Sequence, residues 1–290
     1  MASRQQIKRR IGSVKSTKQI TRAMQMVAAS KLRRAQEAAI GPREYARLAR
    51  QILTHLRALK DEASGENNLF TEQNVSRRLV IVIASNRGLA GAYNSNVIRQ
   101  MIDELKADKA AGVTTELITI GRKPAAAAAR ISGAHVLASY EDLPDHPTAS
   151  ELRPILSSAV DAFTEGEFQA VDVIYTEFVS SIRQEVRVQR LLPAGFEEIE
   201  VPADIARAKI EPSVDELLEA ATLRLLEAQL LQVLLEAAAS EHSMRMLAMK
   251  SATDNASEIV DDLTLAYNTA RQAAITQELA EISGGVEAMK

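Results

Sequence analysis

The segment Ser213–Lys250, SVDELLEAATLRLLEAQLLQVLLEAAASEHSMRMLAMK, opens a run of 71 residues (213–283) that contains neither Gly nor Pro. At a rise of about 1.5 Å per residue, the run predicts a helical rod roughly 105 Å long. A helix of that length cannot bury an apolar stripe by itself, so it needs a partner helix. The other end of the same chain is the nearest candidate.

The apolar residues of this run indicate where the partner helix packs. Spacings of three and four, typical of a coiled-coil seam, join Leu223, Leu226, Leu230, Val233, Ala237, Ser240, Met244 and Leu247. The pattern then drifts through Ala248, Ala252, Ala256, Ile259, Leu263, Ala266, Ala270 and Ala273. We expect the helix to begin after Pro212 and to end at Gly284-Gly285.

The N-terminal segment predicts the partner. Its first 36 residues carry ten Lys or Arg and no Asp or Glu. Helical spacing joins two apolar groups, Ile7, Ile11 and Val14, then Ile20, Met24 and Val27, and Leu32, Ala35 and Ala39 extend the stripe. Gly41-Pro42 interrupts the pattern, so we predict a kinked helix or two helices end to end.

The middle of the chain alternates strand and helix signals. Strands are predicted at 79–84, 116–120, 171–178 and 186–192, and helices at 94–109, 124–130 and 151–163. The run Leu79–Ala84 is continuously apolar, as in a strand that is covered on both faces. This alternation indicates a small, mainly parallel α/β layer.

The sequence thus predicts an α/β fold: a long coiled coil of the N- and C-terminal helices, which the family resemblance given below implies is antiparallel, plus a central Rossmann-like α/β layer domain. The predicted bounds are 1–60 for the first helix and 61–76 for a linker. The central domain takes 77–202 and the second helix 203–290.

Composition and motifs argue against catalysis by this chain. There is no Cys and only four His, far apart, so we expect no metal site and no cofactor. The loop Ser85–Gly91 follows a strand and precedes a helix, where phosphates often bind, but it has neither a Rossmann nor a P-loop glycine pattern. A tight structural turn is favoured there over a nucleotide-dependent enzyme.

The basic N-terminal face leaves three hypotheses. Nucleic-acid binding would use phosphate neutralisation but lacks interleaved aromatic residues, and it remains the main alternative function. Membrane-surface binding would need bulkier apolar residues. Docking on acidic protein surfaces, including the chain's own acidic C-terminal helix, is favoured, since residues 201–290 hold 15 Asp or Glu against 7 Lys or Arg.

Four motifs carry a family resemblance. The string TRAMQMVAASKLRRAQ (21–36) resembles the N-terminal signature of the γ subunit of F-type ATP synthase. SNRGLAGAYN (85–94) is similar to the family's central loop, with Asn86 where Asp is more usual. MRMLAMKSATDNA (244–256) and YNTARQAAITQELAEI (267–282) resemble its C-terminal signature. The order of the motifs matches the family across nearly the whole chain.

The resemblance implies a non-catalytic central rotor. Its coiled coil would sit inside the ring of α and β subunits, and its base would dock on the ε subunit and the c-ring. It would transmit torque between the proton-driven c-ring and the catalytic β subunits. No nucleic acid is implied, and membrane association comes only through the complex. The absence of the chloroplast-type cysteine insertion favours a bacterial or mitochondrial-type enzyme. The N-terminal segment, whose helical pattern continues without a composition break, favours the cytoplasmic face of a bacterial inner membrane over the mitochondrial matrix.

The resemblance also implies contacts with the β subunits. On the shaft these residues are Met24, Lys31, Arg33, Arg34 and, in the facing helix, Arg245. A polar catch, meaning a set of side chains that grips β near the C-terminal end, would consist of Arg271, Gln272, Thr276 and Gln277. The acid-rich segment around Glu197–Glu211 is the hypothesis for the end near the c-ring.

Overall fold

A computed structural model describes residues 4–62, 68–71, 73–144, 147–195, 201–207 and 214–288. The helices are α1 (Arg4–Glu62), α2 (Tyr93–Ala110), α3 (Arg122–Ala128), α4 (Ala149–Thr164), α5 (Ala203–Ala206) and α6 (Val214–Ala288). The strands are β1 (Arg77–Ile83), β2 (Thr114–Ile120), β3 (His135–Tyr140), β4 (Ala170–Phe178) and β5 (Gln184–Leu192), and a short 3-10 helix covers Asn68–Phe70.

Contacts between residues divide the chain into two compact units. The coiled-coil unit contains residues 1–28 and 245–290, and the sheet unit contains residues 29–244. Helices α1 and α6 contribute residues to both units. The predicted domain bounds at 60, 76 and 202 follow the elements rather than these units, and they stay a prediction.

The terminal helices are both present. Helix α1 is 59 residues long and is continuous through Gly41 and Pro42, so one helix stands where two end to end were the alternative. The kink predicted there stays a prediction. Helix α6 is 75 residues long, and its predicted end at Gly284-Gly285 is wrong because it continues to Ala288. Two Gly lower the helix propensity without removing a hydrogen bond.

The sheet unit is built on five strands in the order β3-β2-β1-β4-β5. The first four are parallel, and β5 pairs antiparallel with β4. All four predicted strands are confirmed, while β3 was missed. Its residues are mostly exposed and lie at the sheet edge, so its sequence lacks the apolar run of a covered strand.

Both faces of the sheet are covered. Val80, Val82 and Ile174 pack with α2 and α3 on one face. On the other face Leu79, Ile81 and Ile83 join a larger core with α4 and with the parts of α1 and α6 that belong to the sheet unit. The continuous apolar run of β1 therefore has the cause the sequence predicts, a strand buried on two sides.

A buried ion cluster ties the sheet to α2. The Nη1 atom of Arg78, on β1, lies 2.8 Å from Glu104 Oε2 and 3.0 Å from Asp108 Oδ2. Its Nε donates a hydrogen bond to Asp172 Oδ2 of β4. Burial alone would lower the pKa of Arg78, but the carboxylates of Asp172, Glu104 and Asp108 outweigh it and raise that pKa. Buried charges persist only when they are paired in this way.

Candidate partner-binding surface

The coiled-coil unit is held by a narrow seam of mostly small or polar residues. On α1 the seam positions are Ile7, Ile11, Val14, Lys18, Thr21, Gln25 and Ala28, all buried or half-buried, and Met24 beside them is half-buried too. On α6 they include Met249, Thr253, Ala256, Val260, Leu263, Tyr267, Ala270 and Ala274. Both series alternate steps of four and three, the spacing of a two-helix seam.

One polar contact joins the two helices inside this seam. The hydroxyl oxygens of Thr21 and Thr253 lie 2.8 Å apart, and the Thr253 oxygen also lies 2.7 Å from the carbonyl oxygen of Met249. Thr253 is 8% exposed, so its hydroxyl needs a protein partner. This pair fixes which turns of α1 and α6 face each other.

The seam register differs from the sequence prediction. Ile20 and Val27 were assigned to the seam, yet they are 61% and 57% exposed, and Thr21 and Ala28 take their places. On α6, Leu247 and Ile259 were likewise predicted in the seam and are exposed. The prediction assigned seam positions to the apolar residues. The positions that face the partner helix are set by helix geometry, however, and a small or polar residue can occupy them.

The C-terminal part of α6 carries a second apolar stripe outside the seam. Leu265, Ile275, Leu279 and Ile282 are exposed, Leu265 by 69%. At about 100° per residue, these four lie within an arc of about 100° on one side of the helix. The sequence analysis missed this stripe. Its signal was the four-three spacing of Ile275, Leu279 and Ile282, which runs beside the seam spacing.

The predicted polar catch lies partly on this stripe. Arg271, Gln272, Thr276 and Gln277 are all exposed. With about 100° per residue, Arg271, Gln272 and Thr276 flank or interleave the stripe, while Gln277 points about 100° away from Thr276. The Thr276 hydroxyl donates to the carbonyl oxygen of Gln272 at 3.0 Å. Arg271 and Gln272 thus present side-chain N–H donors on this side of the helix.

The remaining predicted contact residues fall into two groups. In the coiled-coil unit, Met24 and Arg245 are half-buried. In the sheet unit, Lys31, Arg33 and Arg34 are exposed on α1. Arg33 lies 3.0 Å from Glu37 one turn later, so part of its charge is balanced within the helix.

Several exposed basic residues of α1 form no ion pair with two exposed acidic residues of α6 in the described part of the coiled-coil unit. Lys8, Lys15 and Arg22 follow one another at intervals of seven and are exposed, as are Asp254 and Asp261. Among the described residues of this unit, no ion pair joins one of these bases to one of these acids. The hypothesis that the basic arm docks on the chain's own acidic helix stays a prediction.

The loop after β1 is a structural turn in the described chain. The Ser85 hydroxyl lies 2.6 Å from the Arg87 carbonyl oxygen and 2.8 Å from Asn94 Oδ1. The Asn86 amide donates to the carbonyl oxygen of Glu141 and accepts from the backbone N–H of Arg122. These internal bonds use the polar side chains of Ser85 and Asn86 that a phosphate would need.

Two further observations concern the membrane and the end predicted to lie near the c-ring. Within the described ranges, no helix is long and apolar enough to cross a membrane. The segment proposed for the end near the c-ring, Glu197–Glu211, has residues 197–200 and 208–211 outside the described residues. Its described part, residues 201–207, contains the short helix α5.

Comparisons with known proteins agree with this architecture. A family model described as ATP synthase matches residues 3–289. The ATP synthase gamma chain of Stenotrophomonas maltophilia is 39% identical over 289 residues, which cover 100% of both chains. That of Xanthomonas oryzae pv. oryzae is 38% identical with the same coverage.

Solved structures share the fold. A chain of the Euglena gracilis mitochondrial ATP synthase, in a structure of OSCP, F1 and c-ring, superposes with a TM-score of 0.69 at 19% identity; the match covers 98% of this chain and 93% of that one. A central stalk and c-ring structure from Tetrahymena thermophila gives 0.58 at 23% identity, covering 80% and 99%. With the family match over the whole length, these findings show that the chain belongs to the ATP synthase gamma-chain family.

Proposed function

We propose that the exposed faces of the coiled-coil unit are the surfaces by which this chain acts on the catalytic β subunits of ATP synthase. The family establishes that the chain is the central rotor subunit and a non-catalytic component of the complex. Nucleic-acid binding, the alternative weighed from the sequence, receives no support from the family or from the solved relatives.

The proposal rests on the apolar side chains that α1 and α6 expose outside the seam. Ile20 and Val27 on α1, and Leu265, Ile275, Leu279 and Ile282 on α6, are exposed, while several seam positions hold the smaller Thr21, Thr253 and Ala256. Large apolar patches on a soluble surface mark sites that a partner covers. A surrounding sleeve of other subunits would cover both helices at once.

Polar residues beside the apolar stripe would orient the contact with a β subunit and make it specific. Arg271 and Gln272 present N–H donors on an exposed side of α6, where a carboxylate or carbonyl of a β subunit would accept them. Lys31 and Arg34 offer exposed positive charge on α1. Met24 and Arg245, being half-buried, would act by shaping the surface, and Arg33 and Gln277 would add contacts at its margin.

Torque transmission needs contacts that differ between rotor orientations. A rotor biases the conformations of its partners only through differential contact free energy. Because the coiled-coil unit has apolar residues on particular sides and charged residues on others, each orientation would present a different face to a given β subunit. ATP chemistry would remain on β.

The base of the rotor would carry the remaining partners. We assign the ε subunit and the c-ring to the part of the sheet unit near the acid-rich segment around Glu197–Glu211, and we place the complex at the cytoplasmic face of a bacterial inner membrane. The bacterial source of the relatives at 38–39% identity supports that location. The chain would then be a peripheral component held at the membrane through its complex.

A triple variant tests the catch. Arg271→Ala, Gln272→Ala and Thr276→Ala together remove the polar side chains beside the stripe while keeping a helix-forming sequence. We expect ATP-driven proton pumping per ATP hydrolysed to fall severalfold in reconstituted complexes, with nucleotide binding unchanged. A matched triple alanine variant of the exposed α2 residues Arg99, Asp103 and Lys106 should pump normally. Full coupling in the first variant would refute the catch assignment.

A further inference from the structure

Helix α6 passes from the sheet unit into the coiled-coil unit after Met244. Just before that point, Ser240 and Ser243 are both 0% exposed. They are three residues apart, so their side chains are neighbours on one side of the helix. The contacts of these two serines therefore decide how the last turn of α6 is held in the sheet unit.

Both serine hydroxyls bind the hairpin that joins β4 to β5. Ser240 Oγ donates to the carbonyl oxygen of Thr176 at 3.0 Å, and Ser243 Oγ donates to the carbonyl oxygen of Ser181 at 2.8 Å. Gln184 Nε2, on β5, donates to Ser243 Oγ at 3.2 Å. These bonds attach one turn of α6 to both strands and to the turn between them.

Such bonds differ from those of other helical hydroxyls in this chain. The hydroxyl of a serine or threonine inside a helix commonly donates to a carbonyl oxygen of the preceding turn. Farther along α6, Ser257, Thr264 and Thr269 each donate to the carbonyl oxygen four residues earlier. Ser240 and Ser243 donate to a different element instead, so their hydroxyls serve the tertiary structure.

The hairpin turn is closed by hydrogen bonds of its own. Ser180 Oγ accepts from the backbone N–H groups of Ile182 and Arg183, at 3.3 Å and 3.0 Å, and Gln184 Nε2 donates to the Ser180 carbonyl oxygen at 2.8 Å. Val179 and Ile182, the apolar residues of the turn, are 46% and 85% exposed. Hydrogen bonds, rather than these apolar side chains, therefore hold the turn on α6.

We propose that Ser240 and Ser243 are positioning residues of the rotor, which fix the rotational setting of α6 about its own axis against the β4–β5 hairpin. Apolar contacts are non-directional, whereas a hydrogen bond weakens steeply as its angle departs from linearity. The serine bonds thus oppose a twist of α6 within the sheet unit when the rotor carries torque. The inference rests on the rotor role of the family and on none of the proposed β contacts.

The experiment measures how firmly the sheet unit follows the rotor in the assembled complex. The β subunits are fixed to a surface, and a probe on a Lys106→Cys variant, exposed on α2, reports the angle during ATP-driven rotation. Ser240→Ala together with Ser243→Ala removes all the bonds to the hairpin described above. We expect the angular spread within each pause to widen at least about 1.5-fold, because each lost hydroxyl bond is worth about 1 kcal/mol. The rate of ATP hydrolysis should stay unchanged.

A matched control removes two hydroxyls that bond only within their own helices. Thr164→Ala together with Ser257→Ala should leave the angular spread at the wild-type value. Gln184→Met removes the amide of the hairpin without changing α6, so it should widen the spread by less, and it answers the question if the double serine variant fails to assemble.

Two results would overturn the inference while leaving the rotor role intact. One is a wild-type spread in the double serine variant and in Gln184→Met, and the other is equal widening in the control. A wild-type probe that did not rotate at all would overturn the rotor role and this inference with it. That result is distinct from a rotating wild type whose spread the variants share.

Discussion

The two compact units differ in how much of their apolar surface they bury within the chain. In the sheet unit, Leu79, Ile81 and Val82 are fully buried by other parts of the same chain. In the coiled-coil unit, the seam relies on residues such as Thr21, Thr253 and Ala256, while Ile20 and Leu279 face outward. The sheet unit therefore buries its large apolar side chains within the chain, whereas the coiled-coil unit leaves several of its own for a partner to cover.

The largest contrast is expected from the same substitution in each unit. Ile81→Ala removes a fully buried side chain and should lower the free energy of unfolding of the isolated chain by about 2–5 kcal/mol. Ile20→Ala, at a position 61% exposed, should change it by less than about 0.5 kcal/mol. Chemical denaturation followed by circular dichroism measures both. Similar losses would mean that the two units do not differ as described.

A smaller effect is expected inside the seam. Thr253→Val keeps the side-chain shape but removes the hydroxyl that meets Thr21, and should cost the coiled-coil unit about 1 kcal/mol. Hydrogen exchange of the amides near residue 253 reports this local stability. Thr269→Val is the control, because Thr269 is exposed and its hydroxyl bonds only within its own helix. If Thr253→Val left exchange unchanged, the hydroxyl pair would have no part in holding the seam.

The smallest effect is a pH dependence confined to the sheet unit. Burial, then the charges of Glu236 and Glu177, raise the folded-state pKa of Tyr175. The unfolded chain ionises this tyrosine first, near pH 10, so the stabilisation is complete below that pH and is lost as pH rises toward the folded pKa. Between pH 9 and 11, the wild type should lose stability more steeply than Tyr175→Phe. Parallel curves would contradict this assignment.

The difference between the two units also explains which of their features could be predicted from the sequence. The strands of the sheet unit were predictable because continuous runs such as Leu79–Ile83 are buried on both faces, which leaves a plain compositional signal. Strand β3 was missed since its exposed edge position removes that signal. In the coiled-coil unit, apolar residues predicted the helices but misassigned the register, because Ile20 and Val27 face outward.

The candidate contact residues show the same limit. The family motifs placed Arg271, Gln272 and Thr276, and the structure has them exposed beside an apolar stripe that the sequence analysis missed. Whether these groups touch a β subunit depends on a surface that belongs to another chain. A single sequence contains the residues of only one side of such a contact. Apolar residues that face a partner subunit can therefore be mistaken for residues of the seam between α1 and α6.

The most direct test is solvent access to the outer stripe before and after assembly. The chain has no Cys, so a Leu279→Cys variant carries one reactive thiol at a position that is 59% exposed. We predict rapid maleimide labelling in the isolated chain and labelling at least about 100-fold slower in the assembled ATP synthase, since a covered thiol reacts only when it is transiently opened. Lys106→Cys on α2 gives the labelling rate of an exposed site in the sheet unit. Equal labelling of Leu279→Cys in the free chain and in the complex would contradict the account that partner subunits cover this face.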